Sequence, residues 1–354
     1  MLRLKGFGVR NLRALHDTGI IDLKPITILV GKNSAGKSSF ARILPLLKQS
    51  AEKRKQGPLL WFGRLVDFGS FSETVSSFSD AGEIDLLLRF STPQALFLSR
   101  RSRGNEAETN LSQADIDVQL KLTSEGDEGR TILKELSIDI FGVNIKITVE
   151  SSRDIRIIID GIPVIIPNEI ILRLGQGNIL PLIRLIYKSE ISTNNLHDSI
   201  FFQTQRREKL GTKSLRSAIS SFVHGNTLTE RKDEIADRLP LSSLKSLLEN
   251  CLKLTGVPDT WRTNFLDLTP ASNRLKALQR ALILNKLDVL LIELDEAIQM
   301  FCVGVSYLEP LRATAQRFYR REEVSIDELD PKGLNTTFFL QGLASRERDS
   351  LNVG

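Results

Sequence analysis

ITILVGKNSAGKSSF, residues 26–40, decides how this chain is read. A continuous apolar run, Ile26 to Val30, ends in Gly31, as expected of a strand buried on both faces of a sheet. From Lys37 onward Phe40, Ile43, Leu44 and Leu47 fall at helical spacing, with Pro45 marking a kink or an early end. Between strand and helix lies Gly31-Lys32-Asn33-Ser34-Ala35-Gly36-Lys37-Ser38, a full G-x-x-x-x-G-K-S, followed by Ser39. That spacing lets a loop curl so that successive N–H groups surround a phosphate. Gly31 and Gly36 supply the torsions and the close approach. Lys37 then brings a point charge to the β- and γ-phosphates of a nucleotide such as ATP, and Ser38 a hydroxyl ligand for Mg²⁺.

The charge distribution agrees. Net charge is +5 over 354 residues, but residues 1–55 alone carry a balance of +9 and the remainder −4. A basic segment of this kind suits a phosphate-rich partner, either nucleotide or nucleic acid, although a solvated basic face has the same composition. Apolar residues at 41% exclude global disorder and allow one large or two modest domains. Cys251 and Cys302 are too few for a disulfide scaffold, which points to a reducing, cytoplasmic setting. The start MLRLKGFGVR has no apolar signal core, and no run of 18 uncharged apolar residues occurs, so no membrane association is expected.

Working outward, residues 2–9 and 20–23 read as short strands and, with the loop, form a P-loop strand–helix lobe over 1–58. Residues 59–169 read as an antiparallel β-subdomain. Its strands are EIDLLLRF, IDVQLKL, ILKELSIDI, IKITVE and IRIII, with Asp160-Gly161 as a hairpin turn. The polar stretch 99–114 reads as a mobile loop between strands. Residues 170–300 read as a helical insertion, with helices over Thr229–Leu239, Leu241–Leu254 (opened by Pro240) and Ser272–Met300. Residues 301–354 read as a returning strand at 303–311 and a tail.

The stretch FGVRNLRALHDTGIIDLKPITILVGKNSAGKSSF resembles the N-terminus of ABC-type ATPase heads of the SMC/RecF/OLD kind. Asn11-Leu12-Arg13 is similar to their "NFR" element, and Asn33 to the asparagine of "GxNxxGKS". The resemblance implies an α/β fold, the N-terminal portion of an ABC-type P-loop NTPase head, with Arg13 near the nucleotide phosphates and Asn33 lining the loop. LLWFGRLVDFGSF (59–71) and SYLEPLRATAQRFYR (306–320) resemble segments of stand-alone ATPases of bacterial anti-phage systems.

Such a head also needs a signature loop, a Walker B strand ending in Asp-Glu, and a switch histidine. Ser79-Asp80-Ala81-Gly82-Glu83 imitates a signature but precedes a strand, so it reads as a turn. LDVLLIELDEAI imitates Walker B, yet Leu287, Leu290, Leu291, Leu294 and Ile298 continue a helical stripe, so Asp295-Glu296 reads as helix. The true Walker B is expected beyond residue 354. ATP hydrolysis is then expected only when a partner protein, a second copy of this chain or a further segment completes the site.

His16, His197 and His224 have no metal-ligand spacing. Arg100-Arg101-Arg103 and Arg206-Arg207-Lys209, the latter near Phe201 and Phe202, read as solvated loops ahead of a nucleic-acid surface. Several functions therefore stay open: an ATPase subunit of a defence or DNA-processing complex, a nucleotide-gated scaffold without turnover, a DNA-binding repair ATPase of the RecF/SMC type that the resemblance implies, and a nucleic-acid-binding module that uses the basic N-terminus directly.

Overall fold

Strand β1 (Arg3–Leu12) is the seam of the molecule. The computed structural model describes residues 2–53, 55–93, 95–96, 113–126, 129–150, 154–175, 177–187 and 209–308. On one edge β1 pairs with β2 (Leu15–Asp17) and β3 (Ile21–Asp22), and on the other with β4 (Ile84–Pro93). The β1–β4 ladder runs from Arg3 opposite Ser91 to Arg10 opposite Asp85. Strands expected in separate lobes, 1–58 and 59–169, therefore share one sheet.

After the two-residue β5 (Ala95–Leu96), that sheet continues through β6 (Gln113–Glu125), β7 (Arg130–Ile140), β8 (Val143–Val149), β9 (Ile155–Ile159) and β10 (Ile162–Pro163). Its order is β10-β9-β8-β7-β6-β4-β1-β2, with β3 also on β1, and every pairing is antiparallel. Alternation holds because one face is covered, and bulges shift its phase twice, at Lys5 in β1 and in β7. In β7, Thr131 and Leu133 are buried, Lys134 is the extra residue, and burial resumes at Leu136, Ile138 and Ile140. Asp160 and Gly161 take φ of +50° and +75° between paired Ile159 and Ile162, the torsions of a two-residue type I′ turn.

Residues 170–187 depart from the expected helix. They form a hairpin, β11 (Ile170–Leu174) with β12 (Ile183–Tyr187). β-branched Ile170, Ile171, Ile183 and Ile186 favour extended backbone, and Gly175, Gly177 and Pro181 in the connection disfavour a helix.

The other described elements are mostly helices. After the loop come α1 (Lys37–Ala41) and α2 (Ile43–Glu52), then the one-turn α3 (Phe71–Thr74). The later helices are α4 (Thr212–Ser220), α5 (Thr229–Arg238), α6 (Leu244–Lys253), α7 (Asp259–Leu266) and α8 (Asn273–Val303). Pro240 does not open α6. Leu241 and Ser242 form β13, paired with β5, and the Ser243 side chain caps the helix three residues later. Helix α8 runs 31 residues, about 46 Å, and meets β1, α2, α4 and α6. Buried residues run unbroken from Ala281 to Leu287, which makes it the central post of the core rather than a surface helix.

Two expected strands are not formed. Residues 26–30 have no ladder partner among the described residues, and Ile26, Ile28 and Val30 are 81%, 77% and 85% exposed. Val303 closes α8, and 304–308 have no regular structure. A strand exists only with neighbours to complete its hydrogen bonds, so an apolar run without them stays irregular. Residues 309–311 of the second expected strand lie outside the described residues. So do the tail to 354, His197, Phe201, Phe202 and the arginines of both basic clusters.

Candidate nucleotide-binding site

Phe7 of β1 stacks on Phe40 of α1, with ring centroids 4.6 Å apart, and this seats the loop's helix on the sheet. The loop before it curls through Gly31, Ser34 and Gly36 at φ of +155°, +62° and +86°. Gly36 is constrained twice. Besides its left-handed torsion, a Cβ there would lie 2.5 Å from Leu15 Cδ2 of β2. Leu15 thus presses the β1–β2 hairpin against the loop, a contact the sequence pattern did not reveal.

Lys37 Nζ turns back into the loop, donating to the carbonyls of Gly31 at 2.8 Å and Lys32 at 2.6 Å. Two of its three protons are thereby placed by backbone, and the third remains for an anion. The first-turn N–H groups after Gly36 have no intrahelical acceptor, which adds donors on the same side. Lys32, Asn33, Ser34, Ala35 and Ser38 are exposed, while Gly36, Lys37 and Ser39 are half-buried. The expected loop residues therefore form one contiguous, largely exposed stretch that runs into the first turn of α1. Ser38 is well suited to an Mg²⁺ bound with nucleotide phosphates, because the residue is exposed and its hydroxyl bonds no protein group among the described residues. The ion would offset phosphate charge there. Among the described residues, no cluster of three His, Cys, Asp or Glu side chains could hold a metal by itself.

The Arg13 side chain is engaged by the protein itself. Its guanidinium donates to the Phe68 carbonyl at 3.1 Å and lies over the Phe68 ring at 4.8 Å. Its backbone N–H donates to Thr74 O. It fastens the 59–74 segment to the hairpin beside the loop.

The helix after the loop is anchored on several sides. It breaks at Arg42, three residues before Pro45, which falls in the first turn of α2, where a missing N–H costs nothing. Arg42 Nε donates to Tyr307 Oη at 3.2 Å and Lys48 Nζ to Val305 O at 2.6 Å, tying the helix to the segment after α8. Buried Gln49 accepts from Leu65 N and Val66 N and donates to Leu60 O and Val66 O, so one amide satisfies four backbone groups of the 59–71 segment. That segment carries Trp61, Phe68 and Phe71, with Trp61 donating to Thr131 Oγ1 at 2.7 Å. Gln49 had no periodic signal, since a buried glutamine is recognised only by its partners.

The two imitations fall where the pattern put them. Ser79 Oγ accepts from Glu83 N in a turn ahead of β4. Asp295 and Glu296 lie inside α8. Asp295 is 2% exposed and accepts from Leu180 N, Asn178 Nδ2 and Gln299 Nε2, so it holds the β11–β12 connection to the helix. Glu296 is exposed.

Residues 3–160 match the family model of an AAA ATPase domain. No curated protein matches the chain. The matched span contains the whole loop, its helix and the sheet as far as β9, so the similarity to an AAA ATPase domain covers the loop and the sheet that carries it. Among the described residues no helix is long and apolar enough to cross a membrane.

Proposed function

We propose that this AAA-type domain binds Mg²⁺-ATP through residues 31–39, and that nucleotide binding drives assembly or conformational switching in a bacterial defence or DNA-processing complex. The observation that carries the reading is the loop itself: Lys37 is held by the Gly31 and Lys32 carbonyls with one proton left for phosphate. The site is an ABC-type half-site, completed by a partner protein or a second copy of this chain. Two features support this. The best Asp-Glu pair in the sequence is structural, its Asp295 carboxylate spent on the 178–180 connection. The apolar run leading into the loop is exposed where a strand of a second chain would cover it.

Hydrolysis needs a group that places the attacking water, and positioning of that kind supplies much of the catalysis in phosphoryl transfer. The isolated chain therefore binds ATP and releases phosphate at background rate. Fluorescent-nucleotide titration should show saturable binding that weakens about 10- to 100-fold in Lys37→Ala, the loss of one charge-assisted contact. Equal affinity in wild type and variant refutes binding at this loop. Robust steady-state phosphate release by the chain alone, abolished in Lys37→Ala, refutes the half-site.

A further inference from the structure

A cavity of about 550 Å³ lies away from the loop, where the end of the β6–β7 hairpin, the end of β8 and the β11–β12 hairpin meet residues 56–58. Its volume is that of a small-molecule site. Val149, Leu174, Ile179 and Ile186 give it apolar wall. Five charged residues line it: Arg130, Arg173, Arg184, Glu125 and Glu150.

Two of the five are already neutralised. Arg173 Nε donates to Asp154 at 2.8 Å, and Glu150 accepts from Arg156 at 2.6 Å. Glu125 stands opposite Arg130 in the β6–β7 register, yet no ion pair joins them. Among the described residues Arg130 Nε is buried without a hydrogen-bond partner, and the bond its guanidinium makes is a long one, 3.4 Å, to Gln56 O. Arg130 is the only cation among the described residues with such an orphaned buried nitrogen. The Arg184 side chain is exposed and has no hydrogen bond or ion pair among the described residues. A desolvated guanidinium nitrogen without an acceptor costs the fold free energy, and an anion bound at the rest of that guanidinium, on the cavity wall, would offset the charge left without a counter-ion. Two guanidinium groups against one unpaired carboxylate give the cavity an anionic preference, and the apolar wall asks for more than a bare ion.

We propose that this cavity is a second ligand site, for a small organic anion whose phosphate or carboxylate is gripped by Arg130 and Arg184 while its apolar body lies on the β11–β12 wall. The site is independent of the nucleotide loop. Its floor nonetheless belongs to the chain leaving α2, where Lys55 bridges Ser50 O at 2.6 Å and Gly177 O at 3.0 Å.

The test uses the full chain carrying Lys37→Ala, so that the loop does not contribute binding, with phenyl phosphate and phenylacetate as probes and benzyl alcohol as the neutral control. Calorimetric titration should show saturable, one-site binding of at least one anionic probe and none of the alcohol. The tighter of the two identifies the headgroup. Adding Arg184→Gln, at an exposed position whose side chain has no partner among the described residues, should weaken binding at least tenfold, and Arg130→Gln at least as much. Arg130→Lys should retain part of the affinity. No saturable binding of either anion at millimolar concentration overturns the proposal, as does affinity unchanged in both glutamine variants.

Discussion

Replacing Asp295 with alanine removes the acceptor that fastens the β11–β12 connection to α8, and the structure fixes what that costs. Three donors lose their partner. Leu180 N at 2.9 Å belongs to a residue with no exposure, and Asn178 Nδ2 at 2.8 Å is partly buried. Gln299 Nε2 at 2.7 Å is on an exposed residue and regains water. A buried donor left unmatched costs about 1–3 kcal/mol, so two of them give about 3–4 kcal/mol with little from the third. With a urea m-value of about 3 kcal/mol/M, the unfolding midpoint should fall by about 1 M. Asp295→Asn, which keeps one acceptor oxygen, should lose about half as much. Glu296→Gln, on the exposed face of the same helix turn, should stay within about 0.5 kcal/mol of wild type. Nucleotide affinity should be unchanged within a few-fold in Glu296→Gln, and in Asp295→Ala at temperatures where it remains folded. The assays are urea unfolding followed by far-UV circular dichroism, and fluorescent-nucleotide titration. An Asp295→Ala chain as stable as wild type refutes the structural role. A loss of turnover by orders of magnitude in Glu296→Gln, with binding intact, means that α8 carries catalytic carboxylates after all.

Three other outcomes follow from single positions. Burial holds the Lys286 ammonium, which donates to Leu239 O, at a pKa of about 8, against about 10.4 in an unfolded chain. Between those values the unfolded state binds more protons, so stability should rise with pH from 8 to 10.4 by up to about 3 kcal/mol, and Lys286→Met should flatten that rise in urea melts at pH 7.5, 9 and 10. Ile28→Asp should change the stability of the isolated chain by less than about 0.5 kcal/mol, where a strand buried on both faces would lose several, and chemical denaturation separates the two. Gly36→Ala should weaken nucleotide binding at least tenfold in the same fluorescent titration, because the new methyl meets Leu15 and the left-handed torsion is lost.

Local chemistry was legible in the sequence wherever neighbours in the chain are also the partners in space. The G-x-x-x-x-G-K-S spacing places Lys37 five and six residues from the carbonyls that hold it, so its curl needs no distant residue. The Asp160-Gly161 turn is likewise a short-range matter, and so is the stripe from Leu275 that makes α8 a helix and removes Asp295-Glu296 from the strand reading. Tertiary structure decided the rest. Hydrophobic periodicity reports that a residue is destined for burial but not what will bury it. Ile26 to Val30 has the composition of a central strand, yet a strand is a relation between segments, and no described segment lies beside it. Arg13 follows the same rule. Its expected place near the loop came from a resemblance, but its guanidinium bonds the carbonyl of Phe68, 55 residues away, and lies over that residue's ring. Gln49, Asp295 and Arg130 are polar residues whose roles depend on groups brought together from distant parts of the chain. A buried hydrogen bond has no sequence period, so only the folded arrangement shows which donors are met and which, like Arg130 Nε, are left over.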